Sequence, residues 1–173
     1  MTPYSSFAAE FGELSREAFL EAVQVPYLVG RLDPEDSSSD RLGNLTLSVR
    51  PGQIVPDPGS ELALLAVDPQ SKSNPYGAMV TIGRAANNDV VLPDPRVSKF
   101  HSYIGQVDEQ WLLYDADSCN GTRGNGEAVA ARTGLPIDSG TCISFGGAVE
   151  LVFLSPEELY DYLHLSHLAR AAS

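Results

Sequence analysis

The chain has 173 residues, is 43% hydrophobic and 20% charged, and carries a formal net charge of −12 at pH 7. This length, with a mean hydropathy of −0.10, predicts a globular protein with one substantial core. No apolar run approaches the roughly 20 residues of a membrane span, and the acidic charge argues against nucleic acid, whose phosphates it would repel.

Cysteine and histidine are too few for a disulfide scaffold or a zinc site. The chain has two cysteines and three histidines, and two of the histidines, His164 and His167, lie in the tail. Their spacing does not match a zinc motif. The start lacks the basic and apolar regions of a signal peptide. We therefore expect no metal, no cofactor, no membrane and a reducing cytoplasm as the compartment.

Residues 5–24 show helical periodicity, with apolar residues three and four apart at Phe7, Phe11, Leu14, Ala18 and Ala22. Ser15 is the expected N-cap of the second half, and Gly12 is expected to divide the segment into two helices. Pro26 ends the pattern, and residues 27–29 are expected to begin an extended segment.

Residues 33–43 form a polar loop by composition, and residues 45–49 alternate apolar and polar side chains as a half-buried strand does. Residues 51–59 contain three prolines and two glycines, which predicts a second irregular connection. We expect residues 1–60 to be an N-terminal helical and irregular extension that packs on the main domain or partly extends its sheets.

Residues 61–154 consist of short apolar segments separated by turn residues. The predicted strands are 62–67, 79–82, 90–92, 100–107, 111–114, 128–129, 142–145 and 149–154, with a loop at 68–76, turns at 87–89 and 108–109, and a tight hairpin at Gly146-Gly147. No long helix separates these strands, so the pattern predicts an all-β sandwich and disfavours a parallel α/β fold.

Residues 155–173 begin with a strong helix start. Ser155 is the expected N-cap, Pro156 the first helical residue, and Glu158 the partner of Ser155 in a capping box. A helix is predicted over residues 156–170, with Leu159, Leu163 and His167 on the inward stripe.

Three short motifs stand at the ends of predicted strands. Gly83-Arg84 can be a bulge with a solvated arginine, or can present a planar guanidinium to a phosphate. Ser98, followed by Lys99, can be ordinary turn chemistry, or can offer a hydroxyl, backbone amides and an ammonium to an anion.

His101 is best interpreted as a buried hydrogen-bonding strut that shapes the Ser98 loop. Asn120-Gly121 is a strong turn pair, and the Asn120 carboxamide can also pair with the backbone of an extended ligand. Cys119 beside it is either a packed thiol or part of a pocket wall.

Two other kinds of site are disfavoured. A triad built on Ser98 and His101 lacks a nucleophile elbow and an α/β-hydrolase pattern, so no enzyme is expected. A calcium loop starting at Asp115 has its Asn-Gly pair one residue late, Gly126 at the twelfth position and no flanking helices.

Gly83-Arg84, Ser98-Lys99-Phe100-His101 and Ser118-Cys119-Asn120-Gly121-Thr122, in this order on an all-β pattern, resemble the forkhead-associated (FHA) domain. The resemblance covers about residues 62–154. It implies a β-sandwich of about 11 strands, here with a short N-terminal helical segment and a C-terminal helix, whose loops at one end bind phosphothreonine peptides.

The resemblance also implies a role for each motif residue. Arg84 and Ser98 would hold the phosphate, Lys99 would add charge or a backbone amide, and Asn120 would pair with the peptide backbone. Cys119 would line the pocket where the family often has serine or threonine, so one phosphate hydrogen bond is in doubt. The residues expected to shape these loops are Gly83, His101 and Gly121.

The expected function is therefore phosphorylation-dependent protein–protein interaction in Ser/Thr kinase signalling, without catalysis, cofactor or metal. The expected partner is a phosphothreonine-containing protein or a Ser/Thr kinase. The alternative is a phosphate-independent scaffold that uses the FHA fold and docks partners by a face outside the loops, since a fold does not guarantee that its usual site is used.

Overall fold

The computed structural model describes residues 1–32, 62–69 and 79–171 of the protein, with side chains as far as His164. The predictions for residues 33–43, 45–49 and 51–59, for most of the 68–76 loop, and for the side chain of His167 lie outside these described parts. Among the described residues, no helix combines the length and the apolar character that crossing a membrane requires.

The described residues form twelve strands and three helices. In chain order they are β1 (Thr2–Pro3), α1 (Tyr4–Phe11), α2 (Arg16–Ala22), β2 (Tyr27–Gly30), β3 (Ala63–Ala66), β4 (Met79–Gly83), β5 (Val90–Val91), β6 (Ser102–Val107), β7 (Gln110–Asp115), β8 (Thr122–Gly124), β9 (Glu127–Ala128), β10 (Leu135–Ile137), β11 (Thr141–Phe145), β12 (Val149–Leu154) and α3 (Pro156–Ala171).

The strands make two sheets that face each other. One sheet has seven strands in the order β1-β3-β2-β12-β11-β8-β9, and the other has five in the order β10-β7-β6-β4-β5. All pairs are antiparallel except β4 with β5. The predicted all-β sandwich is confirmed.

Strand β12 shows why the seven-stranded sheet carries a third, helical layer. Leu151 and Phe153 point into the core between the sheets, whereas Val152 and Leu154 join a second cluster on the opposite face. Because both faces of this strand are buried, its sequence is nearly all apolar rather than alternating.

The helical layer is built from both ends of the described chain. The buried residues of the second cluster are Tyr4, Phe7, Phe19, Val23, Val29, Leu62, Leu64, Val152, Leu154, Leu159, Tyr162 and Leu163. Aromatic rings join α2 to α3, since Phe19 and Tyr160 meet edge to face at 5.4 Å. The described part of residues 1–60 thus supplies two sheet strands and two packed helices.

In the N-terminal segment, the predicted division at Gly12 and the predicted N-cap at Ser15 are confirmed, although the second helix ends at Ala22 rather than at residue 24. Gly12 follows α1, and the Ser15 hydroxyl accepts the Ala18 N–H at 3.3 Å to cap α2.

The cap of α3 differs in one detail from the prediction. Ser155 does cap the helix by accepting the Glu158 N–H at 3.3 Å. The Ser155 N–H, however, donates to Ser139 Oγ at 2.8 Å rather than to the Glu158 side chain. The reciprocal half of the capping box is therefore replaced by a contact with the loop before β11, because tertiary packing brings a better acceptor to that amide.

Both predicted hairpin turns are present. Asp108 and Glu109 have φ of 49° and 65°, and Gly146 and Gly147 both have φ of 64°. Three strands were not predicted from the sequence, namely β1, β8 and β10. The second and third of these contain Gly124 and Pro136 respectively, which weaken a strand pattern, and Pro136 is tolerated because β10 lies at a sheet edge.

Candidate functional site

Strand register brings the three sequence motifs to one end of the sandwich. Ile82 pairs with Ser102, and Ser102 pairs with Asp115. The loops that adjoin these paired positions are 84–89, 92–101 and 116–121, and they therefore lie side by side; together we call them the loop end.

Arg84 is exposed at this end and forms two hydrogen bonds to the 92–101 loop. Its backbone N–H donates to the Ser98 carbonyl at 2.9 Å. Its side-chain Nε donates to the Val97 carbonyl at 3.1 Å. Among the described residues no carboxylate pairs with Arg84, so both terminal nitrogens of the guanidinium remain available to a ligand.

His101 is a fully buried strut between two of the loops. Its Nδ1 accepts the Ser98 N–H at 3.0 Å, and its Nε2 lies 3.1 Å from the Gly121 carbonyl oxygen. These two bonds assign the neutral tautomer with the proton on Nε2. Burial lowers the pKa of His101, although the bond to Gly121 and the nearby Asp115 carboxylate act in the opposite direction.

Cys119 and Asn120 tie the 116–121 loop to the 92–101 loop. The Cys119 N–H donates to Ser98 Oγ at 3.1 Å, and the Asn120 Nδ2 donates to the Arg96 carbonyl at 2.8 Å. Since Ser98 Oγ accepts in this contact, its own O–H is free to donate to an anion. One N–H of Asn120 is occupied within the protein, which leaves its exposed carboxamide oxygen for a ligand.

The backbone of Lys99 is clamped while its side chain is exposed. The Lys99 carbonyl accepts from Asn88 Nδ2 at 2.7 Å and from the Ala85 N–H at 3.1 Å. A Cβ on Gly83 would lie 2.4 Å from the same carbonyl oxygen. Only glycine therefore fits beside this clamp, as the loop-shaping prediction for Gly83 requires.

Gly121 and Gly146 allow the loops to approach closely. Gly121 has φ of 77°, and its carbonyl accepts from His101 Nε2 and from the Gly146 N–H at 2.9 Å. A Cβ on Gly146 would lie 2.6 Å from the Arg96 carbonyl oxygen. Gly146 was identified from the sequence only as a hairpin residue, and its close contact with the 92–101 loop was missed.

Asp115 anchors the 116–121 loop from below. Its carboxylate accepts from the Ser118 N–H at 2.9 Å, the Ser118 hydroxyl at 2.6 Å and the Thr122 hydroxyl at 2.6 Å. Burial acts to raise the pKa of Asp115, but the hydrogen bonds from Ser118 and Thr122 outweigh it and the pKa is lowered. Among the described residues, no cluster of three or more metal-ligating side chains is present.

Two of the nearby cations are neutralised. Arg96 pairs with Asp94 at 2.8 Å, and Arg132 pairs with Asp117 at 2.9 Å. The positive charge that the described loops leave for an anion is therefore that of Arg84 and Lys99. Asn88 and Asp115 were not predicted as loop anchors. The sequence around Asn88 is explained by an ordinary turn, and the sequence around Asp115 partly matches a calcium loop.

The matches to known proteins agree with this arrangement. The FHA domain family model matches residues 80–146, which include every predicted site residue. Comparison with curated proteins gave no significant match.

Solved structures similar to this chain include FHA domains from different organisms. EmbR of Mycobacterium tuberculosis, in complex with a low-affinity phosphopeptide, is 24% identical with a TM-score of 0.44, and the match covers 53% of this chain and 21% of that one. The FhaA FHA domain, in complex with the intracellular domain of a second protein, is 30% identical with a TM-score of 0.40, covering 44% and 79%.

A third is the N-terminal FHA domain of Rad53p from S. cerevisiae, in complex with a phosphothreonine peptide. It is 28% identical with a TM-score of 0.43, and the match covers 50% of this chain and 74% of that one. This chain thus spans about a fifth of EmbR but most of the isolated FHA domains. With its FHA model match at residues 80–146 and 30% identity over most of the FhaA domain, the chain belongs to the FHA domain family.

Proposed function

We propose that this protein binds phosphothreonine peptides through its loop end and mediates phosphorylation-dependent protein–protein interaction in Ser/Thr kinase signalling. The observation that carries the proposal is the guanidinium of Arg84, which is exposed, unpaired with any described carboxylate, and fixed through Nε beside the Ser98 loop. A guanidinium in this state offers the planar fork that binds phosphate oxygens.

Each site residue has a distinct part in this proposal. Arg84 and the free O–H of Ser98 hold the phosphate, and Lys99 adds a second positive charge. The Asn120 carboxamide oxygen accepts from the peptide backbone, since its amide already donates to Arg96. Cys119 lines the rim and contributes its backbone N–H to the orientation of Ser98.

The charge of the ligand explains why phosphorylation controls binding. Hydrogen bonds to charged groups contribute about 1.5–3 kcal/mol each. A phosphate carries nearly two negative charges at neutral pH, whereas an unmodified threonine offers one neutral hydroxyl. Three or four such bonds, less the ordering of the peptide, support a reversible interaction of modest affinity. The phosphopeptide complexes of Rad53p and EmbR support the same chemistry.

The wider organisation follows from this proposal. The protein acts as a non-catalytic module in the cytoplasm, with residues 61–154 as the FHA sandwich, 1–60 as an extension packed on it and 155–173 as a C-terminal helix. Its partner is a phosphothreonine-containing protein or a Ser/Thr kinase.

Calorimetry with a phosphothreonine peptide library tests the proposal. We expect Arg84→Ala to weaken binding by about 100-fold or more, because two charged hydrogen bonds are lost. Arg123→Ala is the matched control, because Arg123 is also an exposed arginine that donates to a carbonyl, that of Gly126 at 3.3 Å. Equal affinity of wild type and Arg84→Ala, or equal binding of phosphorylated and unmodified peptides, would contradict the proposal.

The helical layer favours a second candidate, a phosphate-independent scaffold. Helices α1, α2 and α3 lie outside the family match and present a separate surface. This candidate predicts a native partner that is retained after phosphatase treatment and in Arg84→Ala. A pull-down with and without phosphatase separates the two functions.

A further inference from the structure

The end of the sandwich opposite the loop end has an open cleft of about 740 Å³. At the far ends of β6 and β7 it is lined by Gln106 and Trp111, which are cross-strand partners. Its other walls include residues 24–26, the end of β12 and the start of α3. The volume lies within the roughly 300–1,000 Å³ that is typical of ligand pockets, so the cleft can take a few residues of a partner chain.

The floor of the cleft is apolar. Trp111 packs against Phe153 of the facing sheet, with ring centroids 5.8 Å apart, and it pairs with Ile137 across β7 and β10. Ile137 and Phe153 are buried, whereas Trp111 is only partly buried. The indole ring is therefore the part of the floor that a ligand can reach.

Two carboxylates lie on one side of the rim. Ile137 is opposite Trp111 in the antiparallel pair of β10 and β7. Asp138 follows Ile137, and Glu109 precedes Trp111 by two residues, so both lie beyond the same end of that strand pair. Both residues are exposed, and neither forms an ion pair with another described residue.

A third carboxylate, that of Glu157, lies in the first turn of α3. The start of this helix is held beside Asp138, because the Ser155 N–H donates to Ser139 Oγ at 2.8 Å. Glu157 is also exposed and has no ion pair within the described part of the chain. No described lysine or arginine lines the cleft, so no described cationic side chain offsets these carboxylates.

The negative potential extends to the neighbouring strand β2. Burial raises the pKa of Tyr27, and the carboxylates of Glu10 and Asp68 raise it further. Tyr27 follows Pro26, and both Pro26 and Asp68 line the cleft. The acidic rim thus continues along the wall on the side of β2.

We propose that this cleft binds a basic segment of a partner protein. An arginine of the segment lies over Trp111 with its guanidinium toward Asp138 and Glu109, and the apolar side chains beside it pack on the floor. A guanidinium suits both parts of the cleft, because it pairs bidentately with carboxylates and stacks on an aromatic ring. The cleft is separate from the loop end, so this inference does not depend on the proposed binding of phosphothreonine.

Charge and the apolar floor together favour this occupant over two others. The chain has a net charge of −12, so a second copy would bring another acidic protein to an acidic cleft. A metal ion is disfavoured because the described residues contain no group of three or more side chains able to ligate one. An isolated cation would also leave the apolar floor without a contact, whereas a segment with basic and apolar side chains satisfies both surfaces.

The single tryptophan of the chain makes the test direct. Because Trp111 has no counterpart elsewhere in the sequence, tryptophan fluorescence and the indole N–H signal in NMR report on the cleft alone. The probes are unphosphorylated peptides with one arginine between two leucines, each also synthesised with glutamine in place of the arginine. We expect the arginine peptides to shift the Trp111 signals and to bind about tenfold more tightly than the glutamine forms. Raising the salt concentration is expected to reduce this difference.

Asp138→Asn and Glu109→Gln test the rim, because each removes one charge and keeps the size of the side chain. Each is expected to weaken binding of the arginine peptides about two- to fivefold, the effect of one exposed ion pair. Glu127→Gln is the matched control, since it changes the net charge equally but lies in β9, at an edge of the seven-stranded sheet and outside the cleft lining. It is expected to leave the affinity for arginine peptides unchanged.

Several results would overturn the inference. One is the absence of any response of the Trp111 signals to the arginine peptides, and another is equal binding of the arginine and glutamine forms. An equal loss in Glu127→Gln and Asp138→Asn would show general attraction to an acidic protein instead of a site. A concentration-dependent dimer that shifts the Trp111 signals, or NMR contacts that place another part of the same chain over the exposed indole, would show a different occupant.

Discussion

The two ends of the sandwich differ in charge and in how their loops are held. At the loop end, Arg84 and Lys99 are exposed without a described acidic partner. At the other end lies an open cleft of about 740 Å³, lined by Gln24, Val25, Pro26, Asp68, Pro69, Gln106, Glu109, Gln110, Trp111, Ile137, Asp138, Ser139, Phe153, Ser155, Pro156 and Glu157. We call this the cleft end; four of these lining residues are carboxylates, and none is a cation.

The difference shows how an acidic protein can keep a local anion site. The net charge of −12 would repel a phosphate on average, but exposed charges more than about 8 Å apart are largely screened at physiological salt. The sign of the charges close to the ligand therefore determines whether an anion is attracted or repelled. Buried polar side chains also hold the loop end in shape. His101, Asn88 and Asp115 each form hydrogen bonds within one of its loops or between two of them.

The largest change at the loop end is expected from Gly83→Ala, which disturbs the packing of its loops but leaves its charged residues in place. The new Cβ would lie 2.4 Å from the Lys99 carbonyl and 2.9 Å from Asn88 Nδ2, so the clamp on the 92–101 loop must move. We expect a loss of about 2–3 kcal/mol in the free energy of unfolding, measured with urea, and phosphopeptide affinity at least about tenfold weaker.

Gly121→Ala provides the contrast within the same site. At Gly121 a Cβ meets nothing within 4 Å, but φ is 77°, so the expected cost is the roughly 1 kcal/mol of a left-handed backbone alone. An equal or larger loss in Gly121→Ala than in Gly83→Ala would show that backbone conformation, not the Lys99 clamp, sets the shape of the loop end.

The sequence predicted the positions that act through local chemistry. Ser15 and Ser155 were recognised as caps, and Gly146-Gly147 as a hairpin, because each depends on residues a few positions away. The sandwich itself followed from short strands between turn residues. The family motif named Arg84, and the structure places it at the same end as the other motif loops.

The contacts that the sequence did not predict are those between distant segments. Asn88 bonds the Lys99 carbonyl eleven residues away, and Gly146 packs on the Arg96 carbonyl. Nothing local distinguishes these residues from ordinary turn residues. The engagement of Asn120 with Arg96 is of the same kind, since a carboxamide can bind the protein or the ligand equally well.

Acidification is expected to lower the free energy of unfolding through His101, by a smaller amount than Gly83→Ala does. The groups that face its ring are the Ser98 N–H, the Gly121 carbonyl, the Asp115 carboxylate and the Phe145 ring. Mainly because of burial, the pKa of His101 lies below its ordinary 6.5. Between the lowered pKa of the native protein and the value of 6.5 in the unfolded chain, the unfolded chain binds more protons than the native protein. The stability that depends on a neutral His101 is therefore fully present above about pH 6.5 and decreases as the pH falls below it.

Urea unfolding at pH 7 and pH 5 tests this sign. In His101→Gln, which cannot titrate, the decrease in stability between the two pH values is expected to be smaller than in the wild type. An NMR titration of the His101 Cε1 proton gives the pKa directly, and a value at or above 6.5 would contradict the assignment of the neutral strut.

The smallest effect is expected from Glu109→Lys, which reverses a charge at the cleft end. Glu109 lies in the turn after β6, and the six residues of β6 span about 20 Å. At this separation the interaction between the altered charge and a bound phosphate is at most a few tenths of a kcal/mol at physiological salt, because solvent and ions screen it. We therefore expect phosphopeptide affinity, measured by calorimetry, to change by less than about twofold. A larger increase in affinity would mean that the acidic charge of the whole protein, and not the local pair of Arg84 and Lys99, limits the binding of anions at the loop end.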